Sequence, residues 1–173
     1  MPAREHPELL ADPVVSALEA GAAPSAEVAK IDPEYADTAR LAEAYDVPME
    51  VSANCVIVTG RRAGQERHAA CVVLAHTRAD VNNVVRRRLD ARKASFASTD
   101  FAVEATGMEY GGITPVGLPD DWPVYVDTRV AESAHVVIGS GVRGSKIVLA
   151  GKDLADMPNA EVVDGLAVPV QPA

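Results

Sequence analysis

The stretch Thr106-Gly107-Met108-Glu109-Tyr110-Gly111-Gly112-Ile113-Thr114-Pro115-Val116-Gly117-Leu118 carries more information about fold and chemistry than any other part of this chain. Two adjacent glycines stand among residues that favour extended structure. Glycine in such a place supplies a positive φ or lets the backbone approach another group closely, although a bare loop also uses it. Gly111 and Gly112 are therefore the first candidate site residues, and their chemical resource is backbone rather than side chain.

Working outward from the glycines, Ser98 or Thr99 caps a helix that ends near Gly107, and Thr77 or Asp80 caps another that runs through Val84-Val85 to Leu89. Residues 49–59 and 67–75 are rich in β-formers, and the polar run Gly60-Arg61-Arg62-Ala63-Gly64-Gln65-Glu66 between them predicts a hairpin with a long connection. Cys71-Val72-Val73-Leu74 is apolar at every position, as in a strand covered on both faces. Beyond the glycines come a short strand at 123–126 and a second hairpin pairing 135–138 with 146–149. Upstream, residues 7–20 read as a helix stopped by Gly21, and residues 39–45, capped by Thr38, as a second helix that stops before Val47-Pro48. The tail from Pro158 to Ala173 is expected to fray. No internal repeat or linker interrupts the pattern. The expectation is one α+β domain over residues 1–173, with a core at about 7–165: a mixed, largely antiparallel β-sheet flanked by helices.

Length and composition bound the function. Surface scaling for 173 residues predicts that about 70 % of the unfolded chain's surface is buried, enough for one core without staples. With 48 % hydrophobic and 24 % charged residues the chain is neither disordered nor a disulfide scaffold. No apolar run approaches the ~20 residues a bilayer span needs, and Met1 to His6 lead into no signal-peptide core, so a cytoplasmic protein without a membrane partner is expected. Cys55 and Cys71 lie inside apolar strands, which favours buried, reduced thiols over a disulfide. The net charge of −9 is the wrong sign for a surface that attracts nucleic acid everywhere, so any such contact needs a local patch. Arg86-Arg87-Arg88, with Arg92 and Lys93 just beyond, is concentrated positive charge: a solvated helix face or a phosphate-contacting patch.

Two familiar patterns do not survive their chemistry. Gly139-Ser140-Gly141-Val142-Arg143-Gly144 matches G-x-G-x-x-G, with Asp164 at about the right distance, but a dinucleotide site needs a helix N-terminus directly after the glycines. Ser145 to Leu149 reads as a strand instead, so the glycines make a hairpin turn, with or without a pocket wall. His68, Cys71 and His76 resemble metal-ligand spacing. On a strand, however, Cys71 points away from both histidines, which lie about 26 Å apart at ~3.3 Å per residue. No metal and no cofactor are expected.

The double-glycine segment resembles the T-G-x-x-x-G-G-[IV]-x-P-[IVL]-G signature of the YbaK/prolyl-tRNA editing family, small aminoacyl-tRNA deacylases that also occur inserted in some prolyl-tRNA synthetases. Val124 to Asp127 match the strand ending in aspartate that follows the signature, Val137 to Gly144 the strand and small-residue loop, and Asp153-Leu154 the closing helical element. Ala79 to Asn82 match a helix start, and Thr38 to Val47 an upstream helix, so the resemblance covers about residues 7–165. One departure stands out. The family carries lysine in the pattern I-A-K-[ST]-L-[VI]-F; the same stretch here is Ser52 to Val58, with Asn54 at the lysine position and Cys55 at the hydroxyl position. Asparagine donates and accepts hydrogen bonds but brings no charge.

The resemblance implies a YbaK-like editing fold and a free-standing deacylase that hydrolyses, in trans, the ester between a wrong amino acid and the 3′-terminal adenosine of a tRNA. Under that reading Asn54, Gly111 and Gly112 form the catalytic set. Cys55, Thr114, Asp127, Ser140, Gly141 and Lys146 hold the substrate, with Lys146 as a candidate replacement charge. Arg86, Arg87 and Arg88 touch the acceptor stem, and an aminoacyl-tRNA synthetase is a further candidate partner. The alternative is a non-catalytic module that keeps the fold and binds an aminoacyl-tRNA or related ligand, having lost activity with the lysine.

Overall fold

The computed structural model describes residues 1–170. Its centre is a five-stranded mixed sheet in the order β5-β2-β3-β6-β9. β2 (Ala53–Arg62) and β3 (Gln65–Leu74) form an antiparallel hairpin. β5 (Lys93–Phe96) pairs antiparallel on one edge, while β6 (Val124–Asp127) and β9 (Ala160–Val163) add in parallel on the other. A second, antiparallel sheet sets β8 (Ser145–Leu149) between β1 (Glu27–Lys30) and β7 (Val136–Gly139). A parallel bridge between Ser52 and Val137 joins it to the start of β2. The two-stranded pair of β4 (Thr77–Ala79) and β10 (Ala167–Pro169) completes the sheets.

Alternation on the strands divides the core in two. Ala53 and Ile57 of β2, with Val72 and Val126, join Ile138, Ile147 and α1 (Asp12–Glu19) in the larger cluster. The opposite face, with Val58, Cys71, Val73 and Tyr125, is covered by the helical segment that follows β4: a π-helical turn, Val81–Val85, running into α3 (Arg86–Arg88). The fully apolar run at Cys71 is thereby covered on both sides. The remaining helices are α2 (Thr38–Tyr45), α4 (Thr99–Thr106), α5 (Thr128–Ala131) and α6 (Gly151–Ala155). No helix among the described residues is long and apolar enough to cross a membrane. Cys55 and Cys71 are both free thiols, as expected.

Several expectations need correcting. The first hairpin has a two-residue turn, not a long connection: Ala63 (φ 53°) and Gly64 (φ 79°) are both left-handed, and the polar residues on either side continue the ladder as Arg61–Glu66 and Arg62–Gln65. Asp37, not Thr38, is the N-cap of α2, its carboxylate accepting from the Ala39 N–H at 3.0 Å. The 7–20 helix is a 3₁₀ turn, Pro7–Leu9, followed by α1. The tail does not fray over its described length, because β9 and β10 both pair; residues 171–173 lie outside the described residues.

Candidate active site

The double glycine and the start of β2 meet at β7 and β8. Ile138 and Ile147, a cross-strand pair, turn into the larger core, so the neighbouring pair Gly139 and Lys146 projects from the other face. A Cβ placed on Gly139 would lie 2.5 Å from the Gly112 carbonyl oxygen, so Gly112 rests on that face, one cross-strand neighbour from Lys146. The parallel bridge from Ser52 to Val137 runs β2 alongside β7, which brings Asn54, two residues on, level with Gly139. Asn54 in turn accepts a hydrogen bond from the Thr38 hydroxyl at 2.8 Å, at the start of α2. Asn54, Thr38, Lys146 and the Gly111-Gly112 backbone are thus gathered at one junction.

Backbone bonds lock the glycine loop to the β7–β8 turn. Gly141 N–H donates to Gly112 O at 2.7 Å, Glu109 N–H to Gly141 O at 2.8 Å, and Gly112 N–H to Glu109 O at 2.9 Å. The amides of Gly112 and Gly141 are therefore spent, and these glycines supply close approach rather than donors. Gly111, at φ 83°, is the exposed member of the pair, with no acceptor for its N–H among the described residues. Arg143 covers it. Its guanidinium donates to Tyr110 O and to Pro33 O, each at 3.0 Å, and its own N–H donates to the Glu109 carboxylate at 2.9 Å. The side chain straps the glycine loop to the segment leading into α2. The Arg143 guanidinium lies where a side chain on Gly111 would stand, and so closes the seam between the glycine loop and the segment leading into α2.

Lys146 is the one charged side chain buried there, at 9 % exposure. Burial pushes its ammonium below the usual lysine range, Arg143 adds to the effect, and Asp37 opposes it. It forms no hydrogen bond or ion pair with any of the described residues.

The other expected residues sit elsewhere or are occupied. Cys55 packs against the larger core, on the opposite face of β2 from Asn54, and burial pushes its thiol up, with Cys71 adding to the effect. Ser140 is fully buried, its hydroxyl within hydrogen-bond reach of the carbonyls of Val142 and Ser145 and of Ser145 Oγ at 2.7 Å, so it stiffens the turn. Asp127 is a structural clasp: one oxygen accepts from Arg129 N–H at 2.9 Å and the other from Ala167 N–H at 3.0 Å, tying β6, α5 and β10 together. Thr114 is fully buried with an unpartnered hydroxyl, behind the glycine loop. Arg86 is bound to the carbonyls of Asn82 and Ala91, and Arg88 pairs with Glu161; only Arg87 of the three is without a partner among the described residues. His68 is hydrogen-bonded to Thr59 and stacked near Phe101 and Trp122, remote from any ligand role. No group of three His, Cys, Asp or Glu among the described residues is placed to hold a metal ion.

Sequence reasoning passed over Asp37 and the contacts that Thr38 and Arg143 make. The available signals were an Asp-Thr pair at a helix start, and an arginine set between two glycines, where loop carbonyls want donors.

The sheet arrangement defines a fold found before. The crystal structure of the hypothetical protein APE2540 superimposes over 90 % of this chain and 99 % of its own, with a TM-score of 0.77 at 20 % identity. The family follows from the sequence itself. The chain belongs to the aminoacyl-tRNA editing domain family, whose model matches residues 32–157. It is 32 % identical over 91 residues to the uncharacterized protein YwhH of Bacillus subtilis, a match over 53 % of this chain and 58 % of that one. It is 24 % identical over 113 residues to a proline–tRNA ligase of Listeria monocytogenes, over 65 % of this chain and 19 % of the ligase. The chain thus spans little more than half the length of the first relative and a fifth of the second.

Proposed function

We propose that this protein hydrolyses the ester bond of mischarged aminoacyl-tRNA in trans, in the cytoplasm, with no cofactor. The observation that carries the reading is the junction of Asn54, Lys146 and the Gly111-Gly112 backbone on one face of β7–β8.

The chemistry asks little of the protein. An aminoacyl ester is already activated, so holding it against a water supplies much of the acceleration. Water attacks the ester carbonyl, the oxygen gains charge, and the ribose oxygen leaves with a proton. The Thr38 hydroxyl donates to Oδ1 of Asn54, which leaves the amide's two N–H donors for the substrate. Those donors and the Gly111 N–H meet the developing oxyanion, and the buried Lys146 ammonium supplies the positive charge that Asn54 cannot. Arg143 must swing aside to admit the adenosine, since its guanidinium lies over Gly111 and bridges Tyr110 O and Pro33 O.

The test mixes purified protein with tRNAs charged with several mismatched amino acids and follows loss of the ester for wild type, Asn54→Ala and Asn54→Lys. Turnover by wild type and its loss in Asn54→Ala are expected. Absence of turnover with every charged tRNA would replace this reading with that of a non-catalytic module.

A further inference from the structure

Charge is distributed unevenly along this chain. Residues 61–93 hold nine of the sixteen Lys and Arg but only three of the twenty-five Asp and Glu, in a protein of net charge −9. The fold gathers part of that excess at the tip of the β2–β3 hairpin. Arg61 stands directly opposite Lys93 of β5, and Arg92 N–H donates to Arg61 O at 2.8 Å, so three cationic residues adjoin one another. A shallow cavity of about 260 Å³ opens among Arg61, Arg62, Arg92 and Lys93, with Glu66 the one carboxylate on its wall. Arg62 leans on Asp90 and Arg61 on Glu66, whereas Arg92 and Lys93 are exposed with no ion-pair partner among the described residues.

Like charges placed directly across a ladder destabilise a sheet. The Arg61–Lys93 pair is therefore a local cost, and an anion seated in the cavity would remove it. The surrounding molecule is acidic, so a polyanion is repelled elsewhere and steered to this tip. The eight steps along β2 from Asn54 to Arg62 span about 26 Å at ~3.3 Å each. That reach is less than one turn of a nucleic-acid duplex, ~34 Å.

We infer that the cavity at the hairpin tip receives backbone phosphates of the duplex stem of an RNA whose 3′ end enters the seam at Asn54. The inference rests on the deacylase reading above and deepens it by placing the stem. It also moves the RNA contact from the arginine run of α3 to the hairpin tip, where Arg92 and Lys93 carry no ion pair among the described residues and Arg61 adjoins them.

The experiment measures binding of labelled, uncharged tRNA between 50 and 200 mM salt, for wild type and for the triple variant Arg61→Ala, Arg92→Ala, Lys93→Ala. Each lost phosphate contact lowers the slope of log affinity against log salt by ~0.7–0.9, so the triple variant loses about 2 in slope and about tenfold or more in affinity. Lys152→Ala, which removes one charge from α6 beside Asp156, serves as the control and leaves the slope unchanged. In parallel, ester loss is followed on charged tRNA and on an amino acid esterified to a short single-stranded oligonucleotide that cannot span 26 Å. The triple variant is expected to raise KM for charged tRNA alone. Unchanged affinity and slope in the triple variant overturn the docking site even if deacylation is intact. Conversely, slope loss in a protein that hydrolyses nothing keeps the docking site and removes the deacylase reading.

Discussion

The Thr38 hydroxyl donates to Asn54 Oδ1 across 2.8 Å, linking the first turn of α2 to the second residue of β2. With Oδ1 occupied, the amide has one orientation, and Asn54 becomes a fixed donor rather than an adaptable one. Asn54→Asp keeps the shape but replaces those donors with acceptors, and it sets a negative charge where the oxyanion forms. Its kcat on mischarged tRNA should fall by about 10²–10³-fold, the usual effect of deleting one such donor. Thr38→Val frees the amide to rotate and should cost about tenfold, with little change in melting temperature. Steady-state deacylation by the two variants checks both. Equal rates for Asn54→Asp and wild type would take Asn54 out of the mechanism.

Arg143 is a strap, and its removal should be felt as mobility before stability. It joins the glycine loop at Tyr110 O to the segment before α2 at Pro33 O. Arg143→Ala removes two charge-assisted bonds in a half-exposed place, so a loss of about 1–2 kcal/mol is expected in denaturant unfolding. Hydrogen exchange at the amides of residues 109–112 should accelerate more than in the strands of the central sheet.

Gly139→Ala tests the backbone contact beneath the double glycine. Gly139 has no positive φ, so alanine brings no backbone strain; its methyl meets Gly112 O at 2.5 Å and Ile113 O at 2.9 Å. Both are backbone carbonyls, and that of Gly112 is held by the Gly141 N–H, so they cannot yield as a flexible side chain would. Overpacking of this kind costs about 1–3 kcal/mol, and a chain of this size should melt ~3–10 °C lower. Activity should fall further than stability, since the same push displaces Gly111 and Gly112.

What the sequence revealed followed short-range physics. The β7–β8 pairing was legible because two apolar runs flank a glycine turn, and α4 because Ser98 caps it and Gly107 stops it. The two-residue turn at Ala63-Gly64 was not, because Arg61, Arg62, Gln65 and Glu66 extend a ladder past the edge of the core, where polarity reads as loop. β9 and β10 were hidden for the same reason: each has one buried residue, and its partner strand lies far away in the chain. At the site, the glycine pair and Asn54 stood out as residue types. That Ser140 and Asp127 are consumed by internal bonds depends on who faces them, which no local pattern states.

Asp127 separates a clasp from a binding group. Its carboxylate satisfies the N–H of Arg129 and the buried N–H of Ala167. Asp127→Ala leaves both unpaired and removes a helix cap, so unfolding free energy should drop by about 2–4 kcal/mol. The rate per folded molecule on mischarged tRNA, measured well below the melting temperature, should stay within about twofold of wild type. A selective loss of activity at full stability would return Asp127 to the pocket.

Lys146 should give opposite pH signatures in stability and in catalysis. Burial lowers its folded pKa below the ordinary 10.5, so wherever folded and unfolded chains both carry the proton the folded one bears the desolvation cost. As pH climbs past the folded value the native amine sheds its proton first. The unfolded state then binds more protons, and stability rises with pH until both forms are neutral. Catalysis runs the other way, because the neutral amine no longer offsets the oxyanion, so the rate should fall over the same interval after correction for spontaneous ester hydrolysis. Lys146→Met keeps the length and removes the charge. It should raise stability at neutral pH, abolish the alkaline rise in stability, and lower kcat about ten- to a hundredfold with a flat alkaline limb. Denaturant unfolding and deacylation measured over one pH series check both signs together, and a Lys146→Met enzyme that retains full kcat would confine this lysine to structure.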